Sequence, residues 1–176
     1  QQGDTMAFEQ IVRIYQVKIR SFCSHLIGDN DLGEDAAQET FVKAWQSLKT
    51  FQPATSFSAW LFRIARNHSI DFIRSNKLAP KMLSLDEIFV AGTEAAGNLL
   101  EVREMLDKIL GALSHNAREV LILREMYELS YEHISEILEC SEDAVRGRLK
   151  RARIDVVHIL RHFSISSDVL TVEAVK

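Results

Sequence analysis

Leu129-Ser130-Tyr131-Glu132-His133-Ile134-Ser135-Glu136-Ile137-Leu138, continued by Glu139-Cys140-Ser141-Glu142-Asp143-Ala144-Val145-Arg146-Gly147-Arg148-Leu149-Lys150-Arg151-Ala152-Arg153, is the stretch that decides the fold. Ser130 is a strong N-cap, because a hydroxyl just outside a helix accepts a hydrogen bond from a backbone N–H that has no partner within it. Glu132 then faces the positive end of the helix dipole. Ile134, Ile137 and Leu138 form an apolar stripe at helical spacing. Glu139-Cys140 reads as a turn, and Ser141 as a second N-cap followed by Glu142 and Asp143. The next helix places Val145, Leu149, Ala152 and Val156 on one face. Two short capped helices joined by a tight turn make a helix-turn-helix, whose second helix enters the major groove of DNA with its early residues at base edges.

Local charge agrees with that geometry. Arg146, Arg148, Lys150, Arg151 and Arg153 follow one another with no acid between Ala144 and Ile154. Asp143, Arg146, Gly147 and Lys150 share a face roughly opposite the apolar one, and with Ser141 and Arg151 they are the candidate DNA contacts. Gly147 costs about 1 kcal/mol of helix propensity relative to alanine, which close approach of DNA would justify. Without such a partner the same run is a solvated basic face. The whole chain gives no hint, since 21 Lys and Arg against 25 Asp and Glu leave a net charge of -4.

Working outward, helical periodicity persists. Ala7, Ile11, Ile14, Tyr15, Ile19 and Phe22 mark one long helix, and Ala36, Phe41, Ala44, Trp45 and Leu48 a second, with Phe41 and Trp45 facing inward. A third runs from about Phe57 to Arg74 with Trp60, Leu61, Ile64, Ala65 and Phe72 on its apolar side. Short breaks fall at Gly28-Asp29-Asn30 and Gln52-Pro53. From Leu78 to Gly97 the periodicity fades and Pro80, Gly92 and Gly97 punctuate small residues, too long a stretch for an ordinary loop. Its Leu83, Leu85, Ile88, Phe89 and Val90 either dock on a domain or lie in a channel of a larger partner. Leu99, Val102, Met105, Leu106, Ile109, Leu110 and Leu113 then resume a stripe.

The expected fold is therefore all-α: two small helical domains, 1–77 and 99–163, joined by a flexible linker at 78–98. A tail at 164–176, with Val169, Leu170, Val172 and Val175 alternating, leans towards β as a disordered end or a partner-binding strand.

Other classes find little support. Hydrophobic residues at 47% and charged ones at 26% give the balance of a folded globular chain. No apolar run approaches the roughly 20 residues of a membrane span. The two cysteines, Cys23 and Cys140, are far apart, and Gln1 to Thr5 carry no basic-then-apolar signal, which together point to the cytoplasm. No phosphate-binding glycine loop, nucleophile elbow or His-Glu-x-x-His helix occurs, so neither catalysis nor a cofactor is implied. His158 and His162 are one turn apart but lack further ligand types, and read as an exposed pair.

The helix-turn-helix run resembles the minus-thirty-five-reading module of the extracytoplasmic-function (ECF) sigma factors. Leu113-Ser114 and Ala117-Arg118-Glu119-Val120-Leu121-Ile122-Leu123-Arg124 resemble the helices that precede it. Asn116 stands where a typical member has Pro, a departure that weakens one helix-start signal. Gly3-Asp4, Ala7-Phe8 and Tyr15 resemble the opening helix of the same family. Asp35-Ala36-Ala37-Gln38-Glu39-Thr40-Phe41-Val42-Lys43-Ala44-Trp45 resembles its polymerase-binding helix. Phe57, Trp60-Leu61, Arg63-Ile64-Ala65, Asn67, Asp71 and Arg74 resemble the helix that opens and reads the minus-ten element.

That resemblance, from Gly3 to His162, implies a subunit directing core RNA polymerase to promoter DNA, held in check by an anti-sigma factor. It implies polymerase contacts at Asp35, Gln38, Glu39 and Lys43, and minus-ten contacts at Arg63, Arg66, Asn67, Arg74 and Lys77. Minus-thirty-five contacts fall at Ser141, Asp143, Arg146, Gly147, Lys150 and Arg151. The residue types suit the roles: an acidic, amide-bearing helix arc docks on a basic surface, and basic groups with an amide track an unstacked strand. The loop from Thr50 to Ser58 is the candidate pocket for a flipped base, while Trp60 reads as core rather than as a melting wedge. A free-standing dimeric regulator would leave the N-terminal motifs unexplained. A protein-interaction module would tolerate loss of the basic residues at 144–153. With two short basic patches on separate domains, the free chain is expected to bind duplex DNA poorly.

Overall fold

In the computed structural model, residues 5–52, 56–75 and 99–173 are described, the side chains of 99–103 and 163–173 excepted. Lys77 and the apolar residues of the 78–98 segment lie outside them, as does much of the Thr50–Ser58 loop.

Helix α1 (Thr5–Ile27) ends at Gly28, whose φ of 83° is the left-handed conformation glycine adopts at a helix C-terminus. Asp29 caps α2 (Asn30–Ser47), its Oδ1 accepting from the backbone N–H groups of Asp31 and Leu32 at 3.0 Å each. Gly33 sets how closely the two helices approach. A Cβ there would fall 2.3 Å from Ser24 Oγ and 2.4 Å from Ser24 Cα, so no other residue fits without moving the backbone. A short 3-10 turn (Leu48–Thr50) leads towards α3 (Phe57–Ser75), which packs on α1 and α2. Ile19, Phe22, Cys23, Leu26, Ala36, Ala44, Leu61, Phe62 and Ala65 form the core of this half.

In the second half, α4 (Leu99–Ala112) is followed by α5 (His115–Leu121), capped by Ser114, and by a π-helical segment (Ile122–Met126). The helix-turn-helix comprises α6 (Tyr131–Leu138) and α7 (Glu142–Glu173). Val120, Leu121, Ile122, Leu123, Ile134, Ile137, Val145, Leu149 and Ala152 are buried together. The turn residue Glu139 sits at φ 51°, ψ 47°. This conformation costs an L-residue about 1–2 kcal/mol, against the roughly 0.5–1 kcal/mol entropic cost of a glycine. Glu139→Gly is therefore expected to raise stability by about 0.5–1 kcal/mol, read as a higher urea midpoint at unchanged slope.

The structure corrects three expectations. The 164–173 stretch is helical rather than β-leaning, because α7 continues to Glu173. No glycine or proline follows Gly147, and extending an existing helix adds one hydrogen bond per residue fixed. Ile14 is exposed: the α1 face that packs inward carries Phe8 and Tyr15, and Ile14 points about a quarter-turn away. Trp45 is also partly exposed, lying at the rim where its ring meets Phe8 at 4.9 Å, rather than facing the core.

The two halves pack on each other. α3 lies against α6, and α1 lies against α5 and the π segment. Tyr127 enters a notch between Phe22 and Phe62, with ring centroids 6.1 and 4.9 Å away, and its hydroxyl donates to Lys18 O at 2.8 Å. Burial pushes that phenol up to about 12.

Candidate nucleic-acid interface

The caps expected at the helix-turn-helix are present. Ser130 Oγ accepts from His133 N, and Ser141 Oγ accepts from Ala144 N, both at 3.2 Å. They fix where each helix starts and hence which residues of α7 project outward. Ser141, Asp143, Arg146, Lys150 and Arg151 are exposed, whereas Arg148 is half-buried. Nothing in the chain lies within 4 Å of a Cβ built on Gly147, so internal packing does not require a glycine there.

Arg146 is already oriented. Its guanidinium donates to Asp143 Oδ1 at 2.7 Å and to Glu142 Oε2 at 3.0 Å, and lies 5.2 Å from the centre of the Tyr131 ring. Arg124 lies 5.0 Å from the same ring and donates to Leu129 O. Exposed pairs like these add little stability, but they narrow the directions in which Arg146 can point. Arg153 is turned back onto Glu125, at 2.7 Å, beneath the outward face.

On α3 the basic residues meet the other half of the protein. Arg66 forms a two-point pair with Glu119 of α5, Nε to Oε1 and Nη2 to Oε2, the latter at 3.4 Å. Glu119 is 0% exposed and the Arg66 side chain only 16%. Burial raises the Glu119 carboxyl's pKa, but His115 and the Arg66 guanidinium outweigh it and hold the pKa below the usual value. This carboxylate stabilises the fold above the ordinary carboxylate range, an effect lost as pH falls through its depressed native value. The amide oxygen of exposed Asn67 accepts from Arg66 Nη1 at 3.1 Å. Half-buried Arg63 lines a cavity of about 140 Å³ with Ala59, Trp60 and Glu136 of α6. Arg74 is exposed. Trp60 is buried between Phe51 and Phe57, centroids 5.2 and 5.3 Å away, which makes it a core residue.

Asp35, Gln38 and Glu39 form an exposed arc on α2, held by buried Ala36, Ala37 and Thr40 on the opposite side. Lys43, one turn further, is half-buried and donates to His68 Nδ1 of α3 at 2.7 Å. Burial first, and then the Lys43 charge, hold the His68 pKa below its usual value. Lys43→Met is expected to raise it, read by NMR titration of the ring protons. An unchanged midpoint would mean Lys43 does not act on the imidazole.

Sequence reasoning missed Arg118. It is 2% exposed, and its guanidinium donates to three carbonyls: Leu110 O at 2.7 Å, Gly111 O at 3.2 Å and, across the two halves, Leu26 O at 3.2 Å. Among the described residues no helix is long and apolar enough to cross a membrane, and no group of His, Cys, Asp and Glu could hold a metal.

Known proteins give this arrangement its class. The family profile described as Sigma-70 region 2 matches residues 11–78, and that described as Sigma-70, region 4 matches 103–156. These stretches comprise the α1–α3 half and the helix-turn-helix half.

The chain belongs to the ECF sigma factors, the transcription initiation factors of the sigma-70 family. It is 32% identical over 165 residues to the ECF RNA polymerase sigma-E factor of Escherichia coli K12, covering 87% of this chain and 86% of that one. The Haemophilus influenzae sigma-E factor is 34% identical, with 87% of each chain covered. Among solved structures, CnrH in complex with the cytosolic domain of CnrY superposes with a TM-score of 0.69 at 28% identity, over 90% of both chains. RpoE in complex with the anti-sigma factor NepR from Bartonella quintana gives 0.69 at 27%, over 88% of this chain and 97% of that one.

Proposed function

We propose that this sigma factor binds core RNA polymerase and directs it to promoters with two separate DNA-reading surfaces under anti-sigma control. The residues at 1–77 form the polymerase-binding and minus-ten unit, 78–98 the connection, and 99–163 the minus-thirty-five unit. Asp35, Gln38 and Glu39, flanked by Lys43, meet the polymerase. Arg63, Arg66, Asn67, Arg74 and Lys77 meet the opened minus-ten strand, and Ser141, Asp143, Arg146, Gly147, Lys150 and Arg151 the minus-thirty-five duplex. Catalysis belongs to the polymerase, and the chain works beside it in the cytoplasm. The observation that carries this reading is the pairing, in one chain, of an exposed acidic helix arc with a capped helix-turn-helix whose outward face is basic. Control by an anti-sigma factor is supported by the close superposition on CnrH and RpoE, each solved with such a partner or its cytosolic domain.

The test is transcription in vitro with purified core enzyme and a promoter library. Promoter-selective transcripts that require the chain support the reading. Selective binding to a palindrome without polymerase would support a free-standing regulator instead. In the same assay Arg146→Ala is expected to relax preference at one or two base pairs by about 1–3 kcal/mol, the contribution of a bidentate base contact. Identical preferences for both proteins would remove Arg146 from the base-reading set.

A further inference from the structure

We propose that the helix-turn-helix half masks the minus-ten surface, with Glu119 occupying Arg66 in place of a DNA phosphate. This rests on the reading of Arg66 as a minus-ten contact. A guanidinium offers two parallel N–H donors that fit a carboxylate and a phosphate alike. In this structure those donors, Nε and Nη2, are taken by the two oxygens of Glu119. Nη1 is engaged by Asn67, so the amide oxygen of the neighbouring polar reader is also turned inward. One turn earlier, Glu136 of α6 shares the small cavity beside Arg63. Two acidic side chains of the second half thus face the basic side of α3, and α6 lies over the same helix. A DNA strand cannot reach Arg66 while Glu119 holds it.

The contact is built to discriminate rather than to glue. Removing two charges from water offsets much of their attraction, so a buried ion pair adds little net stability, yet separating the partners without a replacement is costly. A phosphate is a replacement for Glu119, and water can receive Glu119 once the halves part. The remaining closure is modest: the Tyr127 ring between Phe22 and Phe62, its hydroxyl on Lys18 O, and the Arg118 donor on Leu26 O. Packing between domains on such a scale permits relative motion. Apparent affinity for DNA is then scaled by the fraction of open molecules. That makes poor DNA binding by the free chain a matter of masking as well as of few phosphate contacts.

The experiment uses the full chain with donor and acceptor dyes on the two halves, and a fluorescein-labelled pool of single-stranded DNA with a randomised centre. Glu119→Gln keeps the shape and removes the charge, and Tyr127→Phe removes only the hydroxyl bond. Both are expected to lengthen the interdomain distance with circular dichroism unchanged. Glu119→Gln should tighten DNA binding about tenfold if the closed form outnumbers the open one by about that factor. Unchanged distances in both variants overturn the proposal. So does an opened Glu119→Gln chain whose DNA affinity does not rise, although Arg66→Ala in that background still lowers it. If Arg66→Ala has no effect even there, the reading of Arg66 has failed and the masking role falls with it.

Discussion

Glu39→Lys is expected to lower affinity for core RNA polymerase about a hundredfold, or ~2.7 kcal/mol, since placing a like charge against a basic partner surface costs several kcal/mol. The substitution lies on the exposed arc of α2, away from buried Ala36, Ala37 and Thr40. Surface changes of this kind shift stability by only about 0.5 kcal/mol, so the helical circular dichroism and urea midpoint should be nearly unchanged. Competition against labelled wild-type chain for core enzyme measures the loss. Equal affinity of the two proteins would take Glu39 out of the polymerase interface.

Arg118→Ala carries the larger structural effect. Burial already disfavours the Arg118 charge, lowering its pKa, so the side chain is retained for the carbonyls it satisfies. Truncation leaves Leu110 O, Gly111 O and Leu26 O without their donor and opens a cavity in a site only 2% exposed. Each unsatisfied buried acceptor costs about 1–3 kcal/mol, partly offset by the charge no longer buried, for a net loss of about 3 kcal/mol. Because one of the three carbonyls belongs to α1, the unfolding transition should also lose cooperativity between the halves. Arg118→Lys is expected to recover only part of the loss, since three rotating donors on a point charge do not reproduce a planar fork. A midpoint unchanged by Arg118→Ala would mean water satisfies those carbonyls instead.

The elements legible in the sequence were those governed by neighbours along the chain. Ser130 and Ser141 announce their helices through caps that reach three residues ahead, and the structure has both bonds. The apolar stripes of α3 and α6 place Leu61, Ala65, Ile134 and Ile137 in the core, where they are found. What stayed hidden depends on groups far apart in sequence. Arg118 and Glu119 interrupt an apolar run, which hints at burial, but their partners lie 92 and 53 residues earlier, at Leu26 and Arg66. Lys43 reads as part of an outward arc until α3 brings His68 against it, 25 residues on. Trp45 and Ile14 were misplaced for the opposite reason: a stripe drawn from spacing alone is wider than the groove available to receive it. The helical course of 164–173 was obscured by local alternation that a continuing helix overrides.

The π-helical segment at Ile122–Met126 makes chain length itself a determinant here. Its wide turn is visible where Tyr127 N donates to Ile122 O, five residues back, at 3.3 Å. An α-helix would close the same turn with one residue fewer. Deleting a residue between Ile122 and Met126 would let the helix tighten, rotating everything after it by about 100° and shifting it by about 1.5 Å. Tyr127 would then swing out of the notch between Phe22 and Phe62, and Arg124 could no longer reach both Leu129 O and the Tyr131 ring. Side chains along this turn can be exchanged for others of similar shape, whereas a single-codon deletion would misalign the helix-turn-helix with the rest of the protein.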